Sequence, residues 1–221
     1  MNVLLAVLWK DLVTEWRGRD RAVAMVLFSL LVVVIFHFAL PGGATEKTAE
    51  MAPGLLWVAY VFAAILGLNR AFSLELENEA IAGLALAPCD RGWVFLGKAA
   101  ANFLILAVVQ LLTAIVFVLV FDLQWLPVAV PLAGVVTLGS LGICAMGTLF
   151  AAVAVRTRFR EVMLPLLLLP LLIPILAGSV HATSDLLGRG EVGFEPIQLL
   201  LVADAIYLIV AYLSFDYVLD E

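Results

Sequence analysis

The sequence predicts an all-α integral membrane protein: six transmembrane helices, an amphipathic interfacial helix ahead of them, and a short cytoplasmic helical segment between the second and third spans. Three observations predict it. Hydrophobic residues make up 65% of the 221-residue chain and charged residues only 14%, with a mean hydropathy of +1.15. Soluble domains run near 45–50% apolar and about 25% charged, and a soluble fold has nowhere to hide so much apolar surface. Six apolar runs also approach or exceed the roughly 20 residues that a helix needs to cross hydrocarbon. Finally, lysine and arginine gather on alternate connections between those runs, the asymmetry that sets the direction of insertion.

In chain order, residues 2–17, "NVLLAVLWKDLVTEWR", are too polar to cross. On a helical wheel Leu4, Leu5, Leu8, Trp9, Leu12, Val13 and Trp16 share one broad face, and Lys10, Asp11, Thr14 and Arg17 lie opposite. That pattern fits a helix in the membrane interface with its tryptophans at headgroup level. The spans follow at about residues 22–40, 52–68, 99–121, 126–155, 162–180 and 197–215, all within one transmembrane domain, 1–221. The fourth span is long and has Pro127 and Pro131 near its start, so it is either tilted or opens with a short turn. Continuous rather than alternating apolarity excludes a membrane barrel. The first apolar stretch lacks the flanks of a cleavable signal peptide.

With the N-terminus inside, the inner segments hold Lys10, Arg17, Arg19, Arg21, Arg70, Arg91, Lys98, Arg156, Arg158 and Arg160, and the outer ones hold Lys47 and Arg189. Ten against two places both termini in the cytoplasm; the bacterial inner membrane as location is what the family resemblance given below implies. A net charge of −6 argues against a nucleic-acid partner. Cys89 and Cys144 have no metal or redox spacing, so two free thiols are expected.

No phosphate loop, HExxH, CxxC or GxSxG occurs, so the chain is not expected to be an enzyme or to bind a cofactor of its own. What remains is transport, a channel or a scaffold. The segment 73–92 contains "ELENEAIAGLALAPCDRG", a mainly acidic amphipathic stretch between two apolar ones. Such a segment suits a helix that docks on a separate cytoplasmic ATPase. Leu76, Ile81, Leu84 and Leu86 would anchor it, Glu75, Glu77 and Glu79 would meet basic residues, and Pro88 would end it. The plainer alternative is a solvated loop kept soluble by its acids.

Four features in order carry a family resemblance. "APGLLWVA" (52–59) opens span two and "LNRAF" (68–72) closes it. The acidic stretch then leads to "LALAP" (84–88), with Lys98 entering span three, and "LPLLIP" (169–174) lies in span five. Together they resemble the CcmB family, the membrane subunit of a heme-exporter-type ABC complex of cytochrome c maturation. The resemblance covers nearly the whole chain. It departs at Asn78-Glu79, where an Asp-Gly pair is common, and at Ala82, where a glutamate is common.

The resemblance implies an ABC exporter permease-like fold and two copies of the chain on two copies of a CcmA-like ATPase, which supplies ATP hydrolysis. It further implies CcmC-like and CcmD-like membrane partners, and a CcmE-like periplasmic heme chaperone. Heme would be the substrate delivered, and ATP use would release the loaded chaperone. A permease for lipid, polysaccharide or drug, and a non-conducting scaffold of heme-handling proteins, remain open as alternatives.

The candidate ATPase-coupling residues are Arg70, Phe72, Glu75, Glu77, Leu84, Pro88 and Arg91. Arg70 has two readings, a joint paired to a carboxylate and a side chain snorkelling to the headgroups; the resemblance favours the joint. "RTRFRE" (156–161) reads first as a topology signal and second as a site for the ATPase or anionic lipid. Pro165, Pro170 and Pro174 in span five each leave a carbonyl unpaired, so that helix must pack where neighbours satisfy it. Ser140, Cys144 and Thr148, beside Gly139, Gly142 and Gly147, read as a packing face. His37 and His181 are the candidate heme contacts, since iron accepts imidazole, although an interfacial histidine bonded to backbone is the preferred reading for each. Asp204, inside span six, is a functional candidate because ionisable groups within spans are rare and costly; otherwise it is protonated, or bonds a polar neighbour such as Asn102 or Gln110.

Overall fold

The computed structural model describes residues 3–40, 46–72, 90–122, 125–155, 157 and 159–220. Among them it has seven α-helices: α1 (Val3–Gly18), α2 (Asp20–Ala39), α3 (Glu46–Arg70), α4 (Arg91–Phe121), α5 (Ala129–Ala154), α6 (Arg160–Arg189) and α7 (Phe194–Asp220), with a 3-10 turn at Leu126–Val128 before α5. Six stretches are long and apolar enough to cross a membrane: Asp20–Ala39, Glu50–Arg70, Arg91–Phe121, Leu126–Ala154, Glu161–Arg189 and Phe194–Val218. The six expected spans are therefore present in order, and the chain is a multi-pass membrane protein. The acidic segment from 73 to 89, with Glu75, Glu77, Leu84, Pro88 and Cys89, lies outside the described residues, as do Arg156 and Arg158.

The two largest differences from the expected helix ends have physical reasons. Helix α4 starts at Arg91 rather than near 99, because the Asp90 carboxylate accepts from the Gly92 amide at 2.8 Å and caps a first turn that hydropathy alone reads as polar. Helix α6 runs past Val180 to Arg189, and stops only where Gly190, at φ 76°, takes the left-handed conformation and donates to the Leu186 carbonyl. At 31 and 30 residues, α4 and α6 extend about 45 Å, well beyond a hydrocarbon core of about 30 Å. Pro127 sits in the 3-10 turn, and Pro131 in the first turn of α5, where a missing amide is tolerated.

Helix α5 is the hub and packs on α3, α4, α6 and α7, while α1 lies against α4. Arg19 separates α1 from α2 at φ 59°, a left-handed conformation that side chains resist. Its guanidinium folds back over the Trp16 ring, 4.8 Å from the centroid, and Nε donates to the Trp16 carbonyl at 3.1 Å. Arginine thus offsets its own backbone strain. Arg19→Ala, which keeps the strain and loses the contact, is expected to lower stability by about 1 kcal/mol. Arg19→Gly, which relieves the strain, is expected to melt closer to wild type in detergent. The reverse order of unfolding midpoints would contradict this account.

Candidate functional site

The core-facing edge of α4 carries Lys98, Asn102, Gln110 and Thr113, all buried. Spacings of four, eight and three residues put them in one line along the helix. In a bilayer such a stripe is tolerable only if each polar group finds a partner on another helix. Each side chain finds at least one, although Gln110 Nε2 has no partner among the described residues. Lys98 Nζ lies 3.2 Å from Asp11 Oδ2 on α1. Asn102 accepts from Arg21 Nη1 on α2 at 2.9 Å and donates to Thr148 Oγ1 on α5 at 2.9 Å. Gln110 Oε1 accepts from Ser140 Oγ on α5 at 2.9 Å, and its backbone carbonyl accepts from the Tyr60 hydroxyl on α3 at 3.1 Å. The Thr113 hydroxyl lies 2.7 Å from that of Ser29 on α2. Helix α4 is the column to which α1, α2, α3 and α5 are bonded.

The ionic part of this column lies at the end of the bundle where α1 sits. Arg21 Nε is 2.9 Å from Glu15 Oε2, and Glu15 Oε1 accepts from the Ala22 amide at 2.8 Å. Asp11 divides its oxygens between Lys10, at 3.0 Å, and Lys98. Asp11 and Glu15, four residues apart, therefore form an acidic edge of α1 turned toward the bundle. This corrects the helical-wheel reading, which put Asp11 on the water-facing side and all the large apolar residues on one face. Val7 is buried on the bundle side, whereas Leu5, Trp9 and Trp16 are exposed. Gly97 permits the contact with α4: a β-carbon there would lie 2.9 Å from the Leu4 carbonyl oxygen and 2.9 Å from Val7 Cβ.

Of the proposed coupling residues, Arg70 closes α3 with an exposed side chain, and among the described residues no carboxylate pairs with it. Phe72 is buried, and its ring centroid lies 4.4 Å from the Lys98 ammonium. Arg91 sits in the first turn of α4 and donates to the Asp216 carbonyl of α7 at 3.0 Å. Sequence reasoning treated Lys98 only as the entry to a span and missed its pairing with Asp11. The acidic pair on α1 was the available signal.

Toward the other end, His37 is exposed, with its ring edge-on to Phe38 and Phe121 at 5.5 and 5.8 Å. His181 is exposed on α6. Neither belongs to a group of three metal-ligating side chains among the described residues. The small-residue face of α5 is a packing face: Gly139 sits against Trp57 and Ser179, Gly142 against Ile175 and Asp204, and Gly147 against Leu68. Cys144 is a buried free thiol on the same helix. In the proline-bearing helix α6, the Leu171 carbonyl, next to the one that Pro174 leaves unpaired, accepts from the Tyr207 hydroxyl of α7.

Asp204 is 3% exposed, and neither carboxyl oxygen has a hydrogen-bond partner among the described residues. Asn102 is bonded to Arg21 and Thr148, and Gln110 Nε2, itself without a partner among the described residues, does not reach the carboxyl, so the alternative that either bonds it is overturned. A desolvated polar group without a partner lowers stability, so Asp204→Leu is expected to hold or raise the unfolding midpoint. If that variant reaches the membrane in normal amount but no longer supports function, the carboxyl serves the working cycle. A variant that unfolds would instead assign it a structural role.

The fold is thus a polytopic helical membrane protein, its spans bonded through one polar column and its first helix held at one end by a charged clamp. Residues 2–216 match the CcmB protein family, and the chain belongs to it. It is 32% identical over 204 residues to heme exporter protein B of Paracoccus denitrificans, covering 92% of this chain and 90% of that one. The protein of the same name from Rhodobacter capsulatus is 30% identical over 216 residues, covering 95% and 94%. That from Pseudomonas aeruginosa is 28% identical over 185 residues, covering 82% of each.

Proposed function

We propose that this chain is the permease subunit of an ABC-type complex that serves heme export and delivery for c-type cytochrome biogenesis. The observation that carries this reading is the family match over nearly the whole chain, with relatives named for heme export. ATP is hydrolysed by a separate cytoplasmic subunit, CcmA-like in kind, and the acidic segment 73–89 docks on it, entered through Phe72. The ten-to-two distribution of basic residues supports an inner-membrane orientation with both termini and that segment inside. The α1 end, with Lys98, Arg21, Asp11 and Glu15, is then the cytoplasmic end, and His37 and His181 face the periplasmic side. A second copy of the chain, CcmC-like and CcmD-like proteins and a CcmE-like chaperone complete the complex, and ATP use releases the heme-loaded chaperone.

Deleting the gene and staining c-type cytochromes for heme tests the function: holo-cytochrome should disappear, and normal levels would end this reading. Docking is tested by Glu75→Lys with Glu77→Lys. Reversing two charges at an electrostatically registered interface is expected to lower the ATPase recovered with the permease by about tenfold. Undiminished recovery would remove the acidic segment from the docking surface.

A further inference from the structure

We propose that Asp204 is a proton-binding site inside the membrane: its carboxyl holds a proton while the seam between α5, α6 and α7 is closed, and gives it up where water enters that seam. The inference goes beyond the permease reading and does not rest on it. Asp204 stands ten residues beyond Phe194, the start of α7, which is about 15 Å along the axis and near the middle of a hydrocarbon core of about 30 Å. It is buried, and neither carboxyl oxygen has a hydrogen-bond partner among the described residues. Oδ1 rests against α5 at a place that only glycine leaves open: a β-carbon at Gly142 would lie 2.4 Å from it and 2.6 Å from Ile175 Cδ1 of α6. About one turn along α5, Gly139 leaves the same room for the Ser179 hydroxyl of α6, which is also buried and without a partner among the described residues. Two unsatisfied polar groups thus share one dry seam.

Charge and space select the ligand. An isolated carboxylate in hydrocarbon is costly, and only a cation or a proton relieves it. Among the described residues no cation faces it. Helix α5 has no lysine, arginine or histidine, and its ionisable group is the Cys144 thiol. On α6 the nearest is His181, six residues past Ile175 and exposed. Helix α4 meets α7 through Arg91, Gly92 and Phe95, against Asp216, Tyr212 and Phe215, which is about 12 Å or more along α7 from Asp204. On α7 itself, Glu195 and Asp216 are nine and twelve residues away, and the Tyr207 hydroxyl is taken by the Leu171 carbonyl. Asp204 belongs to no group of three metal-ligating side chains among the described residues. A proton needs neither a cavity nor further ligands, and it removes the charge. In water an aspartate is ionised at neutral pH, so wetting the seam frees a proton and drying it takes one up. The closed bundle then binds more protons at this position than the open or unfolded chain does, and linkage makes its stability fall as pH rises.

The test uses the full chain in lipid and in detergent, with the variants Asp204→Asn and Asp204→Leu. Infrared spectra of protein carrying aspartate labelled at its carboxyl carbon separate an un-ionised carboxyl from a carboxylate. At neutral pH the wild type is expected to show the un-ionised band, and both variants are expected to lose it. In detergent, the folding equilibrium constant of the wild type is expected to fall by up to about tenfold per pH unit relative to either variant as the pH is raised from mildly acidic to mildly alkaline. If Asp204→Asn fails to accumulate, Asp204→Leu, which removes the unsatisfied group altogether, supplies both comparisons. A wild type with no un-ionised band overturns the proposal, as does a band that persists in the variants or a stability difference that ignores pH. Neither readout uses the partner ATPase or heme, so loss of the permease reading would leave the proton site standing, and loss of the proton site would leave the permease reading untouched.

Discussion

Arg21→Ala is expected to cost the folded bundle about 1–3 kcal/mol, the usual loss when a desolvated polar group is left without its partner. The guanidinium is only 11% exposed; it pairs with the Glu15 carboxylate on α1 and donates to Asn102 on α4. Truncation leaves the Glu15 carboxylate, 16% exposed, facing the bundle without its cation, and leaves the Asn102 carbonyl oxygen without its donor. Arg21→Lys is expected to lose roughly half as much, because a single ammonium meets one acceptor well but cannot reproduce the fork. The measurement is the thermal unfolding midpoint of the purified protein in detergent, together with its amount in the membrane. A double-mutant cycle with Glu15→Gln should show strong coupling between the two positions. An Arg21→Ala protein that melts with the wild type would show that the clamp contributes nothing to stability.

Bulk introduced on the small-residue face of α5 is the second large effect. A β-carbon at Gly139 would collide with the Trp57 ring and Ser179 Oγ, and one at Gly142 with Asp204 and Ile175. These are the seams where α5 meets α3, α6 and α7, and they are already close-packed. Alanine at either site is expected to cost about 1–3 kcal/mol through forced displacement of its neighbours, and leucine enough to abolish accumulation of the protein. Gly134 and Gly54 provide the contrast, since a β-carbon at either meets nothing within 4 Å. Gly134→Ala and Gly54→Ala are expected to stay within about 0.5 kcal/mol of wild type. Equal losses at all four sites would mean that helix approach is not what the α5 glycines provide.

Spans were legible in the sequence because each must satisfy the same local constraint, about twenty apolar residues in a row, and that constraint needs no knowledge of neighbours. The ends of α4 and α6 were less legible. Hydropathy ends a span at its first charges, whereas a helix ends where its caps are, at Asp90 and Gly190. The packing face of α5 was readable from small residues at a spacing of four. The clamp was not, because Asp11 and Lys98 are 87 residues apart, and a charge near a span boundary looks the same whether it faces water or a partner. Asp204 stood out in the sequence as a charge among apolar residues, but its place against Gly142 required the relative rotation of two helices, which no local pattern encodes.

The two faces of α1 have a consequence for how the molecule sits in lipid. Its acidic edge is fixed to α4 and α2, while Leu5, Trp9 and Trp16 project on sides the bundle leaves uncovered. Indole rings settle at the boundary between headgroups and hydrocarbon, so the bundle acquires a waterline on that side and cannot rise or sink without drawing the tryptophans out of place. Any mismatch with a thicker or thinner bilayer must then be absorbed at the opposite surface, where α6 runs on to Gly190.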